Sequence, residues 1–132
     1  MTKAGLRIIS DAMESLKLNY GFMGDGLEYD EEGNPIYPYF TGEYQELPPT
    51  NESGMQETTF LLNGFSRGPA LALENAKEAI SAYFNKVGGH TVIVEDGSAV
   101  AVFYSNSLVI PTENAELKRI QINLDVKEWS VK

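Results

Sequence analysis

The stretch Tyr37–Arg67, YPYFTGEYQELPPTNESGMQETTFLLNGFSR, holds two runs of strand-forming residues separated by a polar segment with two prolines. In the first run, Tyr37–Leu47, the residues Tyr37, Tyr39, Thr41 and Glu43 fall on one face and Phe40 and Tyr44 on the other. This is the period-two pattern of a strand. Pro38 lies near its start, where a missing N–H is tolerated, and Pro48 and Pro49 end it. In the second run, Gln56–Phe65, Thr58, Phe60 and Leu62 alternate with Thr59, Leu61 and Phe65. Two such neighbours predict an antiparallel hairpin. Its tip, Thr50–Gly54, is longer than a tight turn requires, and Pro48-Pro49 stiffens it toward an extended form. A long, stiff tip is either a tolerated insertion or a docking element.

Helices flank the hairpin on both sides. In Thr2–Leu18, Leu6, Ile9, Met13 and Leu16 recur at helical spacing, Ile8 and Ala12 widen the stripe, and Asn19-Tyr20-Gly21 supplies a stop. Ala70–Lys86 is rich in strong helix formers, with Leu73, Ala76, Ile80 and Phe84 as its stripe and Leu71, Ala79 and Tyr83 beside it. Gly68-Pro69 opens this second helix and Gly88-Gly89 closes it. Gly21–Ile36 reads as an acidic, glycine-rich loop. His90–Glu95 and Ala99–Tyr104 read as strands joined by an Asp96-Gly97 turn, and Ser105–Glu116 as a loop with an apolar patch at LVIP. In Leu117–Val126, Lys118, Ile120, Ile122, Leu124 and Val126 alternate with Arg119, Gln121, Asn123 and Asp125, so one face is buried and one is wet. The order α-β-β-α-β-β-β predicts an α+β domain spanning residues 1–132. Its sheet is mixed and mainly antiparallel, with two helices packed on one face.

The chain has 132 residues, 42% of them hydrophobic, enough for one domain with its own core. Cysteine is absent, so no disulfide framework exists and a reducing compartment is the natural setting. Charges interrupt Met1–Gly21 every few residues, unlike the apolar core of a signal peptide, and no apolar run reaches a membrane span. The expectation is therefore a protein made in a cytoplasm. A net charge of −9 opposes any grip on phosphates and favours solubility.

The residues of the usual catalytic constellations are sparse. His90 is the only histidine, at a predicted strand start, and there is no thiol nucleophile. No phosphate-loop, dinucleotide or nucleophile-elbow pattern occurs. In GFSRG (Gly64–Gly68) the glycines are wrongly placed around Ser66. Asp30-Glu31-Glu32-Gly33-Asn34-Pro35 lacks the alternating ligands and terminal Glu of a calcium loop. Tyr37, Tyr39, Phe40 and Tyr44 suit strand packing or an interface. Base stacking is disfavoured, because no Lys or Arg interleaves with these rings. Elimination leaves a binding or assembly module without a catalytic, metal or cofactor site. A small intracellular ligand-binding domain and an acidic DNA mimic remain open. The mimic requires regularly arrayed carboxylates, whereas these are scattered apart from a cluster at Glu28–Glu32.

The ordered set Tyr37-Pro38-Tyr39, Gly42-Glu43, the polar loop with Thr50 and Asn51, and Phe65-Ser66-Arg67-Gly68 leading into a helix resembles the tail terminator, or tail completion, proteins of long-tailed phages. The alternating strand Arg119–Asp125 resembles the closing strand of that family. The acidic segment Gly24–Pro35 and the stretch Ser105–Glu116 depart from the pattern. The resemblance implies a structural virion protein with no catalytic site and no cofactor. It implies a homo-hexameric ring on the finished tail tube, assembled in the host cytoplasm and retained at the tail neck. The ring's partners would be the tail tube protein and the head–tail connector or stopper. DNA would pass through without specific binding, sliding if acidic side chains line the channel. On this reading Tyr39, Phe40, Glu43, Phe65 and Arg67 are strand interface residues. Leu47, Pro48, Pro49, Thr50 and Asn51 would project from the ring toward a neighbour. Another neck protein, a stopper or adaptor, is the nearest alternative, although stoppers tend to be β-barrels and lack such helices.

Overall fold

Helix α1, Lys3–Ser15, starts where Thr2 caps it: the Thr2 hydroxyl oxygen accepts the Gly5 N–H at 3.1 Å. In the computed structural model, which describes residues 1–48, 54–84, 90–93 and 97–129, this cap is tied to the far end of the chain. The Thr2 N–H donates to both carboxylate oxygens of buried Glu128, at 3.1 and 3.2 Å, and the Thr2 hydroxyl donates to Glu128 as well. A carboxylate at a helix N-terminus also meets the positive end of the helix dipole. The helix buries Ile9, Ala12 and Met13. It ends earlier than the predicted Leu18, with Lys17 in the left-handed region (φ 59°) and the Leu18 N–H donating to the Met13 carbonyl.

Six strands form one sheet: β1 (Asn19–Phe22), β2 (Tyr39–Glu46), β3 (Met55–Arg67), β4 (His90–Ile93), β5 (Ala99–Ile110) and β6 (Leu117–Trp129). Their spatial order is β1-β2-β3-β6-β5-β4. Only β1–β2 is parallel; the other pairs are antiparallel. The expected hairpin is present, with Tyr39 opposite Phe65 and Glu46 opposite Thr58. Helix α2, Leu71–Phe84, buries Leu73, Ala76, Ile80 and Phe84, the stripe read from the sequence. Ala70 caps it through its carbonyl, which accepts from the Leu73 and Glu74 N–H groups, and Leu71 is exposed rather than beside the stripe. Both helices contribute to one core with Phe40, Phe60, Leu62, Val102 and the inward residues of β6, Ile120, Ile122, Leu124 and Val126. The fold is α+β with a mixed, mainly antiparallel sheet.

The core side of β2 and β3 is fitted ring over glycine. A side chain at Gly64 would come within 2.4 Å of the Phe40 ring, and one at Gly42 within 2.6 Å of the Phe60 ring and of the Tyr20 hydroxyl. Each phenylalanine thus lies over the glycine of the other strand.

Two further sequence expectations need correction. Asn19–Phe22, read as a helix stop and loop start, is the edge strand β1; four residues with one buried position are too short to show a period. Ser105–Ile110, read as loop, continues β5. The pairing shifts between Tyr104 and Asn106, and this bulge at Ser105 moves the outward positions from Ala101 and Phe103 to Asn106, Leu108 and Ile110. A single phase of alternation therefore cannot run through the strand. β4 and β5 pair antiparallel, with Ile93 opposite Ala99. Gly88-Gly89, residues 94–96 with Asp96 of the expected Asp96-Gly97 turn, and the hairpin tip 49–53 lie outside the described residues. Among the described residues, no helix is long and apolar enough to cross a membrane.

Two stability outcomes follow from the packing. Gly64→Ala forces a methyl against the Phe40 ring and Ile120 and lowers stability by roughly 1–3 kcal/mol in urea unfolding. Tyr20→Phe has the opposite sign, because the buried Tyr20 hydroxyl has no protein partner among the described residues; its removal stabilises by about 1 kcal/mol near neutral pH. Burial raises the Tyr20 phenol well above its usual value of 10.0. The folded state thus holds the neutral form, and its stability is complete below the unfolded value and falls as pH rises beyond it. A pH series of thermal melts should show a smaller alkaline loss for Tyr20→Phe than for the parent.

Candidate functional site

With both helices on one face, the other face of the sheet carries no covering helix or strand among the described residues. Outward alternation places Tyr39, Thr41 and Glu43 from β2 on it. β3 adds Leu61, Asn63, Phe65 and Arg67, and β6 adds Arg119, Gln121 and Asn123. Each is opposite a neighbour on the next strand, so a side chain on one strand is supported by two others.

At one end the aromatic residues form a continuous stack. The Tyr39 and Phe65 rings lie 4.9 Å apart at 18°, and Tyr37 leans on Tyr39 at 5.3 Å. Arginines cap both ends: the Arg67 guanidinium lies 5.6 Å from the Tyr37 ring centre and that of Arg119 lies 5.5 Å from Phe65. The order is Arg67–Tyr37–Tyr39–Phe65–Arg119. Burial, reinforced by the neighbouring Tyr37 and Tyr29 phenols, raises the Tyr39 phenol above its ordinary value. Tyr39 is therefore a neutral side chain at physiological pH.

A polar chain runs beside the stack. Arg119 Nη2 donates to Asn63 Oδ1 at 3.0 Å, and Asn63 Nδ2 donates to Glu43 Oε1 at 3.1 Å. Further across, Gln121 Nε2 donates to Asn123 Oδ1 at 3.0 Å and Asn123 Nδ2 to Asn106 Oδ1 at 2.6 Å. Lys127 sits 5.5 Å from the Phe103 ring centre. Among the described residues, no group of three or more His, Cys, Asp or Glu side chains is placed to hold a metal. What this face offers chemically is planar aromatic area, two guanidinium groups and amides already joined to one another, the composition of a protein-contact surface.

Of the expected interface residues, Tyr39, Glu43, Phe65 and Arg67 come together on this face. Phe40 does not: it is completely buried, over Gly64 in the core, because alternation sends it to the opposite side from Tyr39. Leu47 closes the hairpin instead of projecting. Its N–H donates to the Glu57 carbonyl, and its own carbonyl accepts from Gln56 Nε2. Pro48 is exposed at the end of the strand, and Pro49, Thr50 and Asn51 lie outside the described residues. Asn63 and Arg119 were not singled out by sequence. The signal for them is pairing, since Phe65 lies opposite Arg119, and register is not visible within one strand. No protein-family model matches the chain, and no curated protein matches it.

The two arginines differ in consequence. Arg119→Ala removes the donor to Asn63 and the cation over Phe65, and should cost about 1–3 kcal/mol. Arg67 is half exposed and lies 3.7 Å from an exposed Glu116, so Arg67→Ala should stay within about 0.5 kcal/mol. Equal losses in parallel urea titrations would contradict this account of the stack.

Proposed function

We propose that this chain is a tail terminator of a long-tailed phage: a non-enzymatic structural protein that closes as a ring on the tail tube, stops its polymerisation and presents the surface to which the head's connector joins. It acts in the virion neck after assembly in the host cytoplasm. The observation that carries this reading is where the resembling motifs fall. Tyr37 and Tyr39 of the Tyr-Pro-Tyr start, Glu43 of the Gly-Glu pair and Phe65 and Arg67 of the Phe-Ser-Arg-Gly corner belong to the single stack and polar chain on the uncovered face. Gly42, Gly64 and Ser66 from the same segments are buried beneath them. The motifs thus divide into a supported surface and its support, which is the arrangement an assembly subunit needs.

The sheet supports the reading in a second way. Among the described residues it ends in two four-residue strands, which leaves much of both edges open to another chain. A closed ring uses heterologous contacts of this kind, one side of a subunit meeting the other side of the next.

The test is mass in solution by light scattering, without and with purified tail tubes, followed by negative-stain microscopy of the tube ends. The expected result is closed rings of six chains on tube ends and tubes that no longer lengthen. Phe65→Asp, which places a charge in the middle of the stack, should leave the helical and strand signals unchanged and reduce capping at least tenfold. A parent protein that leaves tubes uncapped and growing would overturn the proposal.

A further inference from the structure

The two edges of the sheet are open in complementary places. Among the described residues, β1 covers only Tyr39–Gly42 of β2, leaving Glu43–Glu46, all exposed, without an outer strand neighbour. Among the same residues, β4 covers only Ala99–Val102 of β5, leaving Phe103–Ile110. In that open length Leu108 and Val109 are 47% and 69% exposed. The geometry points to a strand junction between two copies of this chain, in which Glu43–Glu46 of one copy pairs antiparallel with Ser107–Ile110 of the next. This rests on the ring reading above and specifies the contact that closes the ring.

Strand direction agrees. β2 runs opposite to β5 within the sheet, as the successive antiparallel pairs β2–β3, β3–β6 and β6–β5 require. A neighbouring sheet added edge to edge therefore brings an antiparallel strand to β5. Hydrogen-bond direction also agrees. On β2 the core-side residues aim their backbone groups away from β3, as the Met23 N–H to Gly42 carbonyl bond demonstrates, while outward residues aim at β3, as Leu47 does. In an antiparallel strand the same handedness aims core-side residues the opposite way. Ser107 and Val109, paired with Ile122 and Ile120 on the core side, thus aim their N–H and C=O groups away from β6 and into the junction, where Glu46 and Tyr44 meet them.

The short strands set the register. Within one sheet Tyr39 is level with Ile110, and Gly42 with Ser107, through β3 and β6. At that level the neighbour's β1 would occupy the strand position beside Ser107–Ile110. A slip of four residues, roughly 13 Å, carries β1 past Ile110 and β4 past Glu46. It places Glu43 opposite Ile110, Tyr44 opposite Val109, Gln45 opposite Leu108 and Glu46 opposite Ser107. A smaller slip leaves a collision, and a larger one loses pairs to Pro111. A staggered junction is what a closed sheet with tilted strands contains. Tyr44, 39% exposed and on the core side, then stands at the mouth of the 340 Å³ apolar groove lined by Leu73, Val109, Pro111 and Ile120.

The absence of cysteine in the chain permits a test without background. Gln45→Cys and Leu108→Cys combined in one chain place both thiols on the outward side of a non-hydrogen-bonded pair, where side chains are closest. Mild oxidation of rings on tubes should convert most of the protein into a reducible ladder of covalent multimers. The pair Gln45→Cys and Asn106→Cys, two residues out of register, should link at least tenfold less. As a second probe, Val109→Pro removes an N–H that points away from β6 and has no strand partner among the described residues of its own chain; it should keep the parent's thermal melt and lose the rings. Rings that form while Gln45→Cys/Leu108→Cys stays uncrosslinked, or that survive Val109→Pro, overturn the junction and leave the ring reading standing. A parent chain that never forms rings on tubes overturns both.

Discussion

The two phenylalanine-over-glycine fits between β2 and β3 are the constraint on which the rest depends. Phe40 over Gly64 and Phe60 over Gly42 can form only in one pairing of the two strands. A slip by one residue would turn every side chain to the wrong face, and a slip by two would put a ring against a side chain where there is now none. The hairpin register is thereby fixed from inside the core. β6 takes its register from β3 over thirteen pairs, and β5 takes its own from β6. The outward face is set by the same interlock, because Tyr39 stacks on Phe65 only while Phe40 covers Gly64. Surface and core are two readings of one alignment.

The ends of the chain are joined through the same sheet. Glu128 near the end of β6 points to the helix side and receives the Thr2 N–H and hydroxyl at the start of α1. A buried carboxylate is costly unless it is fully bonded, and here the cap of the first helix supplies donors. The last strand thus orients the first helix, and α1 in turn packs on β1, leaving α2 to cover β3, β5 and β6. With both helices committed to one side, the other side of the sheet is left to whatever the protein meets.

Much of this was legible in the sequence, and what was not has a physical reason. The long strands β3 and β6 and the buried stripe of α2 follow from periodicity, since each repeats its pattern over several turns or pleats. β1 is too short for a period, and β5 changes phase at its bulge. At the surface, Tyr39, Glu43, Phe65 and Arg67 were readable as outward aromatic and charged positions. Phe40 was grouped with them because it shares their composition and their strand, although period two sets it on the other face. Arg119 was readable only as a wet-face position of its strand, and Asn63 was not singled out. Their role comes from lying opposite Glu43's strand and Phe65, and cross-strand adjacency is a property of the register, set by the interlock some residues away.

The bonding on the open face bears on how it would be covered. Glu43, Asn63 and Arg119 bond one another, as do Gln121, Asn123 and Asn106, and Arg119 Nε is buried without a partner among the described residues. A face whose amides are already paired can lose water without leaving many polar groups unbonded, so covering it carries a smaller desolvation penalty than its polar composition implies. The same pairing keeps the face polar enough to remain wet in a free subunit of net charge −9, where mutual repulsion works against indiscriminate association. Specific contact then has to come from the few places where the pairing stops: the aromatic stack between two arginines and the open strand edges. In the proposed ring each subunit would use both an edge and its complement, so modest contacts would be multiplied by closure, the last subunit joining through two junctions at once. Under that proposal, a subunit that is stable alone and weakly self-attractive, yet committed once a tube end holds several copies in place, is the behaviour such a division between bonded face and open edge would produce.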